Sequence, residues 1–175
     1  MPAFEPARLN VLVVDDVYER RVVTRDVLTQ LGIGTIRLAA DPAEALVALR
    51  GEQTDVLVLD DAFAPGAVQF IHALRWKTRG TVQATPIILL AAADGEKIRA
   101  ARDAGVHEVT AKPPVPEMLL LRLEEIVLRP RPFIRSAVYV GPCRRRRRNF
   151  VWVERDRRVV DGAVAQPVVT RASGD

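Results

Sequence analysis

The stretch L-N-V-L-V-V-D-D at residues 9–16 decides the fold, because a short aliphatic run ends there in two adjacent carboxylates. An apolar run of this length is typical of a strand that is buried on both faces of a parallel sheet. Similar runs follow along the chain at residues 35–39, 55–59, 87–91 and 108–111. The sequence therefore predicts a set of short strands, the first of which carries Asp15 and Asp16 to the edge of the sheet.

Helical patterns separate these strands. D-P-A-E at residues 41–44 is a strong helix start, with an acidic N-cap, proline at the first helical position and glutamate three residues after the cap. We also expect Asp94 to cap a helix that Gly105 ends. In the last helix, apolar residues recur at helical spacing, namely Leu119, Leu123, Ile126 and Val127. Strands alternating with helices predict an α/β fold, a five-stranded doubly wound parallel sheet with helices on both faces.

The predicted domain organisation is a compact unit at residues 1–128, followed by an extension at residues 129–175. R-P-R-P at residues 129–132 cannot continue a helix, and no periodic core pattern beyond it is long enough to fold alone. We expect the extension to be flexible or partly disordered and to become ordered when it binds its partner. Residues 159–175 receive no structural assignment.

A cytoplasmic location is predicted from what the sequence lacks. The first residues, M-P-A-F-E-P-A-R, contain neither the basic nor the apolar segment that opens a secretory signal. The longest uninterrupted apolar run, residues 87–93, is far shorter than the roughly 20 residues of a membrane-spanning helix. A single cysteine, Cys143, excludes an internal disulfide.

The formal net charge of +4 is the sum of two unlike parts. Residues 1–128 carry 14 Lys and Arg against 18 Asp and Glu, a net charge of −4. Residues 129–175 carry 12 Arg, no Lys and 4 acidic residues, a net charge of +8. Arginine, unlike lysine, offers a planar fork for bidentate hydrogen bonds and a flat face for stacking. An extension that is basic through arginine alone predicts an anionic partner.

Charged side chains lie at the ends of three predicted strands. Asp15 and Asp16 follow the first strand, Asp60 ends the third and Lys112 follows the fifth. The carboxyl ends of the strands in a doubly wound sheet meet at one crevice, so these groups should converge. Three carboxylates favour a hard cation such as Mg²⁺. An aspartate beside a metal can accept a phosphoryl group, and a lysine can neutralise the charge that results.

The same residues carry a family resemblance. V-L-V-V-D-D at residues 11–16, D-V-L-V-L-D at 55–60, P-I-I-L-L at 86–90 and A-K-P-P at 111–114 resemble the receiver domain of response regulators, the CheY-like, flavodoxin-like fold. The resemblance covers roughly residues 8–128. It implies that the protein is a signalling protein and not an enzyme, with Asp60 as phosphoacceptor. It further implies that Asp15, Asp16 and Asp60 hold Mg²⁺ and that Lys112 contacts the phosphoryl group.

Two departures from the receiver pattern bear on signalling. Receivers normally end the fourth strand in Thr or Ser, which hydrogen-bonds the phosphoryl group, whereas this chain has Ala91. They usually carry an aromatic residue three positions before the lysine, and here that position is Val109. Phosphorylation of Asp60 is therefore not expected to be the main signal, because both parts of the usual coupling are missing.

The arginines of the extension cluster in Y-V-G-P-C-R-R-R-R-R at residues 139–148, with Phe150 and Trp152 downstream. Arginine forks pair with phosphate and with the O6/N7 edge of guanine, and aromatic rings stack on bases. The segment resembles the Tyr-x-Gly-Pro-x-Arg-Arg-Arg-Arg extension of the CheY-like c-di-GMP effectors, the Cle proteins. The resemblance implies that c-di-GMP is bound by Tyr139, Arg144, Arg145, Arg146, Arg147, Arg148 and Trp152.

The resemblance also implies a protein partner, the flagellar motor switch or the machinery of surface attachment, and recruitment to the flagellated cell pole. Two alternatives remain open. The chain could be a single-domain phosphorelay regulator that a histidine kinase or phosphotransferase phosphorylates on Asp60. It could instead bind nucleic acid through a basic arm, although no helix-turn-helix pattern is present. His72 on a predicted helix and His107 in a turn have no evident partner in the sequence, so both are interpreted as structural residues and not as ligands.

Overall fold

A computed structural model describes residues 4–64 and 66–144. Its main strands are β1 Asn10–Val14, β2 Thr35–Ala39, β3 Val56–Asp60, β4 Ile87–Ala91 and β5 Glu108–Ala111. Its α-helices are α1 Tyr18–Gln30, α2 Pro42–Gly51, α3 Ala67–Lys77, α4 Gly80–Ala84, α5 Gly95–Ala104 and α6 Pro116–Leu128. A 3-10 turn at Pro6–Arg8 precedes β1, and two short strands, β6 Phe133–Arg135 and β7 Val140–Pro142, follow α6.

The five main strands form one parallel sheet in the order β2-β1-β3-β4-β5, which confirms the predicted doubly wound fold. Successive side chains of a strand point to opposite faces. Leu12, Leu57 and Leu89 accordingly pack on one face against α2, α3 and α5. On the other face, Val58 and Ile88 pack with the apolar residues of α1 and α6. Burial on both faces is why these strands are continuous apolar runs.

The helix ends agree with the sequence predictions. The side chain of Asp41 caps α2 by accepting hydrogen bonds from the backbone N–H groups of Ala43 and Glu44 at 2.7 and 2.8 Å. Asp94 caps α5 in the same way. Gly105 ends α5 at a φ of 102°, a left-handed conformation that favours glycine. The short helix α4 is absent from the sequence prediction, because five residues are too few for a periodic signal.

The chain beyond α6 begins with a β-hairpin. Strand β6 pairs antiparallel with β7, so that Ile134 lies opposite Gly141. Phe133 and Val140 are buried with Ala84 of α4, and Trp76 packs against them. The sequence analysis predicted no strand here, because two three-residue strands show no periodicity and gain their stability from packing on the domain.

The described residues end at Arg144. Four of the predicted ligand-binding arginines lie outside the described residues, as do Trp152 and residues 159–175. No helix within residues 4–64 and 66–144 is long and apolar enough to cross a membrane.

Candidate functional site

An acidic pocket lies at the carboxyl edge of the sheet. Asp60 is the last residue of β3, and Asp15 directly follows β1; both are buried. The Nζ atom of Lys112 lies 3.0 Å from Oδ1 and 3.1 Å from Oδ2 of Asp60. The structure therefore brings these three predicted site residues together. Asp16 lies beside them and is exposed.

Lys112 is shared between two neighbouring carboxylates. Besides Asp60, it forms an ion pair with Asp61, whose Oδ2 accepts a hydrogen bond of 3.2 Å from the backbone N–H of Ala92. Burial lowers the pKa of Lys112, but the hydrogen bonds to Asp61 and Asp60 outweigh it and raise the pKa above its usual value. Lys112 is therefore a charged group at the point where a phosphoryl group on Asp60 would need one. Nothing in the sequence pattern distinguishes Asp61 as a site residue.

Arg20, in the first turn of α1, is the main residue of the acidic pocket that the sequence pattern does not reveal. Its guanidinium binds Asp15 in bidentate fashion, with Nε 2.8 Å from Oδ2 and Nη2 2.7 Å from Oδ1. The same Nη2 lies 3.1 Å from Asp16 and 3.8 Å from Asp60. The hydrogen bond to Asp15 raises the pKa of Arg20 further above its usual range. One nitrogen thus lies within 4 Å of all three carboxylates predicted to hold Mg²⁺.

The donor set fits a magnesium ion in chemistry, since all three side chains offer carboxylate oxygens. As they stand, however, the described residues contain no cluster of acidic, histidine or cysteine side chains arranged to hold a metal. The guanidinium of Arg20 lies at the point where the three carboxylates converge. Its side chain is 39% exposed, so it can turn out into solvent. A magnesium ion would therefore have to displace Arg20.

The two departures from the receiver pattern lie where the sequence analysis expected them. Ala91 ends β4, pairs with Ala111 of β5 and is buried. Val109 is partly buried and packs against the core beneath α2, α3 and α5. Neither side chain can donate a hydrogen bond to a phosphoryl group on Asp60.

A second candidate site lies at the β5 edge of the sheet. A cavity of about 720 Å³ opens between α5, β5, α6 and the end of the hairpin. Two of the predicted ligand-binding residues, Tyr139 and Arg144, line it. The other arginines that line it are Arg99, Arg102, Arg122 and Arg131, and its acidic residues are Asp103 and Glu108.

Tyr139 and Arg144 lie face to face. The guanidinium carbon of Arg144 is 4.2 Å from the centre of the Tyr139 ring, and its Nη1 is 3.0 Å from Oδ1 of Asp103 on α5. The Tyr139 hydroxyl donates a hydrogen bond of 2.8 Å to the carbonyl oxygen of Pro142. Burial raises the pKa of Tyr139, although the positive charge of Arg144 opposes this. The first arginine of the cluster is therefore held on the domain.

His107, for which the sequence indicates no evident partner, is a buried structural residue with hydrogen-bond partners. Its buried ring accepts a hydrogen bond of 3.2 Å from the backbone N–H of Ile87 at Nδ1, and Arg75 approaches that nitrogen to 3.4 Å. Arg75 is itself fully buried, and it donates to the carbonyl oxygens of Thr85 and Gly105. Burial lowers the pKa of Arg75 to about 9. His72 is exposed and stacks on Trp76.

A doubly wound sheet with a buried aspartate and a lysine at its carboxyl edge defines a receiver. The sequence model of the response regulator receiver domain family matches residues 11–124, nearly the whole of that sheet and its helices. The chain belongs to this family, and the resemblance of residues 8–128 to the receiver domain is confirmed. It is a CheY-like receiver with a C-terminal extension.

Known relatives agree with this assignment. "Probable chemotaxis protein CheY" of Rhizobium etli is 32% identical over 121 residues, which cover 68% of this chain and 92% of that protein. Response regulator MprA of Mycobacterium tuberculosis is 34% identical over 125 residues, covering 71% of this chain but only 53% of its own length. Among solved structures, chemotaxis protein CheY4 of Vibrio cholerae matches with a TM-score of 0.59 and 28% identity, covering 67% of this chain and 98% of CheY4.

Proposed function

We propose that this chain is a CheY-like signalling protein that binds c-di-GMP through its arginine-rich extension and acts by protein contact. The observation that carries the proposal is the stacked pair of Tyr139 and Arg144 on the wall of a basic cavity. A guanine base needs a flat surface and a hydrogen-bonding fork, and a phosphate needs a bidentate cation. The extension supplies all of these within a few residues.

A ligand bound in this cavity would contact the surface of the receiver. Its walls include α5, β5 and α6, so a bound ligand would bias how the extension and these elements pack. The protein partner in this proposal is the flagellar motor switch or the machinery of surface attachment. The likeness to chemotaxis proteins of the CheY type supports a role in motility. Action in the cytoplasm and recruitment to the flagellated pole belong to the same proposal.

The acidic pocket supports a second function, phosphorylation of Asp60 by a histidine kinase or phosphotransferase. The observation in its favour is the pair of bonds from Lys112 to the buried Asp60 carboxylate. In this proposal Asp15, Asp16 and Asp60 would hold Mg²⁺ once Arg20 has moved away. The ion would offset negative charge near the phosphoryl group. Lys112 would pair with the phosphoryl oxygens.

Calorimetric titration of c-di-GMP into the full chain tests the first function. We compare the wild type with a variant in which residues 145–148 are alanine. The wild type should bind, and the variant should lose about tenfold or more in affinity, since each bidentate contact contributes about 1–3 kcal/mol. Failure of the wild type to bind would refute the proposal.

Two controls separate this function from general attraction to polyanions. Cyclic di-AMP has the same charge but lacks the O6 acceptor of guanine, so it should bind the wild type more weakly. A duplex DNA fragment should compete poorly at physiological salt. Equal binding of both dinucleotides, together with a steep loss of affinity as salt rises, would favour the nucleic-acid alternative instead.

A further inference from the structure

The basic cavity contains two kinds of arginine. Three of its arginines have acidic partners: Arg122 and Arg131 lie 3.4 and 3.2 Å from Glu108, and Arg144 lies 3.0 Å from Asp103. Two carboxylates thus offset most of the positive charge of these three arginines. The remaining two, Arg99 and Arg102, belong to α5 of the receiver and not to the extension.

Arg99 and Arg102 form no ion pair with any of the residues that the structure describes, and both are exposed. They are three residues apart on α5, so their side chains are neighbours on one face of the helix. Both line the cavity. Two neighbouring guanidinium groups repel one another, and a bound anion would relieve that repulsion. The charge of Arg99 acts on Asp94 at the start of α5, but within the described residues neither arginine has an ion pair within 4 Å that a ligand would have to break.

The cavity matches a nucleotide ligand in size and in chemistry. Its volume of about 720 Å³ falls within the roughly 300–1,000 Å³ of small-molecule pockets. The Tyr139 ring offers a stacking surface on the wall formed by the hairpin. Its face is covered by the guanidinium of Arg144, the kind of flat group that a base can replace.

We infer that c-di-GMP is bound between the receiver and the extension, with Arg99 and Arg102 holding a phosphate and Tyr139 stacking on a guanine. The inference rests on the proposed function and adds receiver residues that the arginine-rich motif does not contain. A ligand held in this way joins α5 to the hairpin. Tyr139 and Arg144 of the extension line one side of this site, and Arg99 and Arg102 of the receiver line the other.

Single substitutions in the full chain test this inference. Arg99→Ala and Arg102→Ala are compared with Arg50→Ala by calorimetric titration of c-di-GMP at physiological salt. Arg50 is a matched control, because Arg50 and Arg102 are both exposed and lie in the last turn of ten-residue helices, α2 and α5. A charged hydrogen bond of about 1.5–3 kcal/mol corresponds to a loss of affinity of about tenfold or more for the α5 variants. Arg50→Ala should bind like the wild type.

The outcomes separate this inference from the proposed function. If the wild type binds and the α5 variants bind equally well, the ligand is held by the extension alone and the inference is overturned. If all three variants weaken binding equally, the receiver contributes only diffuse charge, and the inference is overturned again. If the wild type does not bind c-di-GMP, the proposed function itself fails.

Discussion

Gly141 of the hairpin lies against Gly105 at the end of α5, so closely that a β-carbon on Gly141 would come within 2.8 Å of the Gly105 Cα atom. The same β-carbon would lie 2.7 Å from the Tyr139 hydroxyl oxygen. Both glycines are therefore needed where the extension meets the receiver. Gly141 of the Tyr-x-Gly-Pro segment is thus needed for the hairpin to pack against the end of α5, besides any role in binding a ligand.

Gly141→Ala should loosen the hairpin and destabilise the protein. Overpacking at a close backbone contact costs about 1–3 kcal/mol, which should lower the free energy of unfolding measured by chemical denaturation. Gly51→Ala is the control, because it ends α2 and a β-carbon there meets nothing within 4 Å. Equal stability of the two variants would show that the close contact between the hairpin and α5 is not maintained in solution.

Arg20→Met should tighten the binding of Mg²⁺. The guanidinium of Arg20 lies among the three carboxylates that would hold the ion, so it competes with Mg²⁺ for their oxygens. Removing the guanidinium removes this competition. Because Arg20 is 39% exposed, we expect an increase of a few-fold, as such ion pairs contribute at most about 1 kcal/mol. Magnesium titration by calorimetry measures the change. Arg25→Met, which removes an exposed ion pair with Asp26, should leave the affinity unchanged; weaker binding by Arg20→Met would contradict the role given to Arg20.

Beryllofluoride, a mimic of the phosphoryl group, should bind only weakly at Asp60. Lys112 is in place to pair with it, but Ala91 offers no hydroxyl. Fluorine NMR should detect a bound signal in the wild type and none in Asp60→Asn. Ala91→Thr should strengthen binding, since it adds one hydrogen bond to a charged group, about 1.5–3 kcal/mol at best. A loss of binding in Ala91→Thr would argue against this geometry.

The stability of the protein should fall as the pH drops below about 6.5, in part because of His107. Burial, together with the charges of Arg75 and Arg131, holds the pKa of His107 well below its usual value of 6.5. The unfolded chain therefore takes up a proton at a pH where the folded chain does not, and stability is lost from pH 6.5 down to the folded pKa. The slope from one such group is at most about 1.4 kcal/mol per pH unit.

His107→Asn should remove that part of the slope, since asparagine does not titrate and its amide oxygen can still accept the hydrogen bond from Ile87. Chemical denaturation between pH 7 and 5 measures the effect. His72→Asn is the control, because it makes the same exchange at an exposed position. If the free energy of unfolding depended on pH equally in the wild type and in His107→Asn, another group would be responsible for the loss of stability.

The sheet and its acidic edge could be predicted because each strand is a short continuous apolar run, and the carboxyl ends of parallel strands meet at one edge of the sheet. Asp15, Asp60 and Lys112 belong to that set. The sequence does place Arg20 four residues after Asp16, a spacing that brings side chains together on a helix. Its reach to Asp60 depends on the side-chain conformation, which the sequence does not reveal.

Arg75 shows why the rest could not be predicted. At the end of α3, near Lys77, it has the sequence pattern of a solvated basic residue at a helix C-terminus. It is buried because Gly105, Thr85 and the hairpin enclose it, with the Phe133 ring 5.4 Å from its guanidinium carbon. These contacts join segments that are distant in sequence. The local sequence pattern around Arg75 therefore does not indicate that this residue is buried.

Asp103→Asn should tighten the binding of c-di-GMP. Asp103 pairs with Arg144 at 3.0 Å and so holds that guanidinium close to the face of Tyr139 that a base would occupy. Both side chains of the pair are more than half exposed, so its loss should change the affinity by a few-fold at most, since exposed pairs contribute up to about 1 kcal/mol. Asp26→Asn breaks a comparable exposed pair with Arg25 and removes the same charge far from the cavity. Calorimetry should therefore show tighter binding for Asp103→Asn than for Asp26→Asn; the reverse order would mean that Asp103 helps to hold the ligand and does not compete with it.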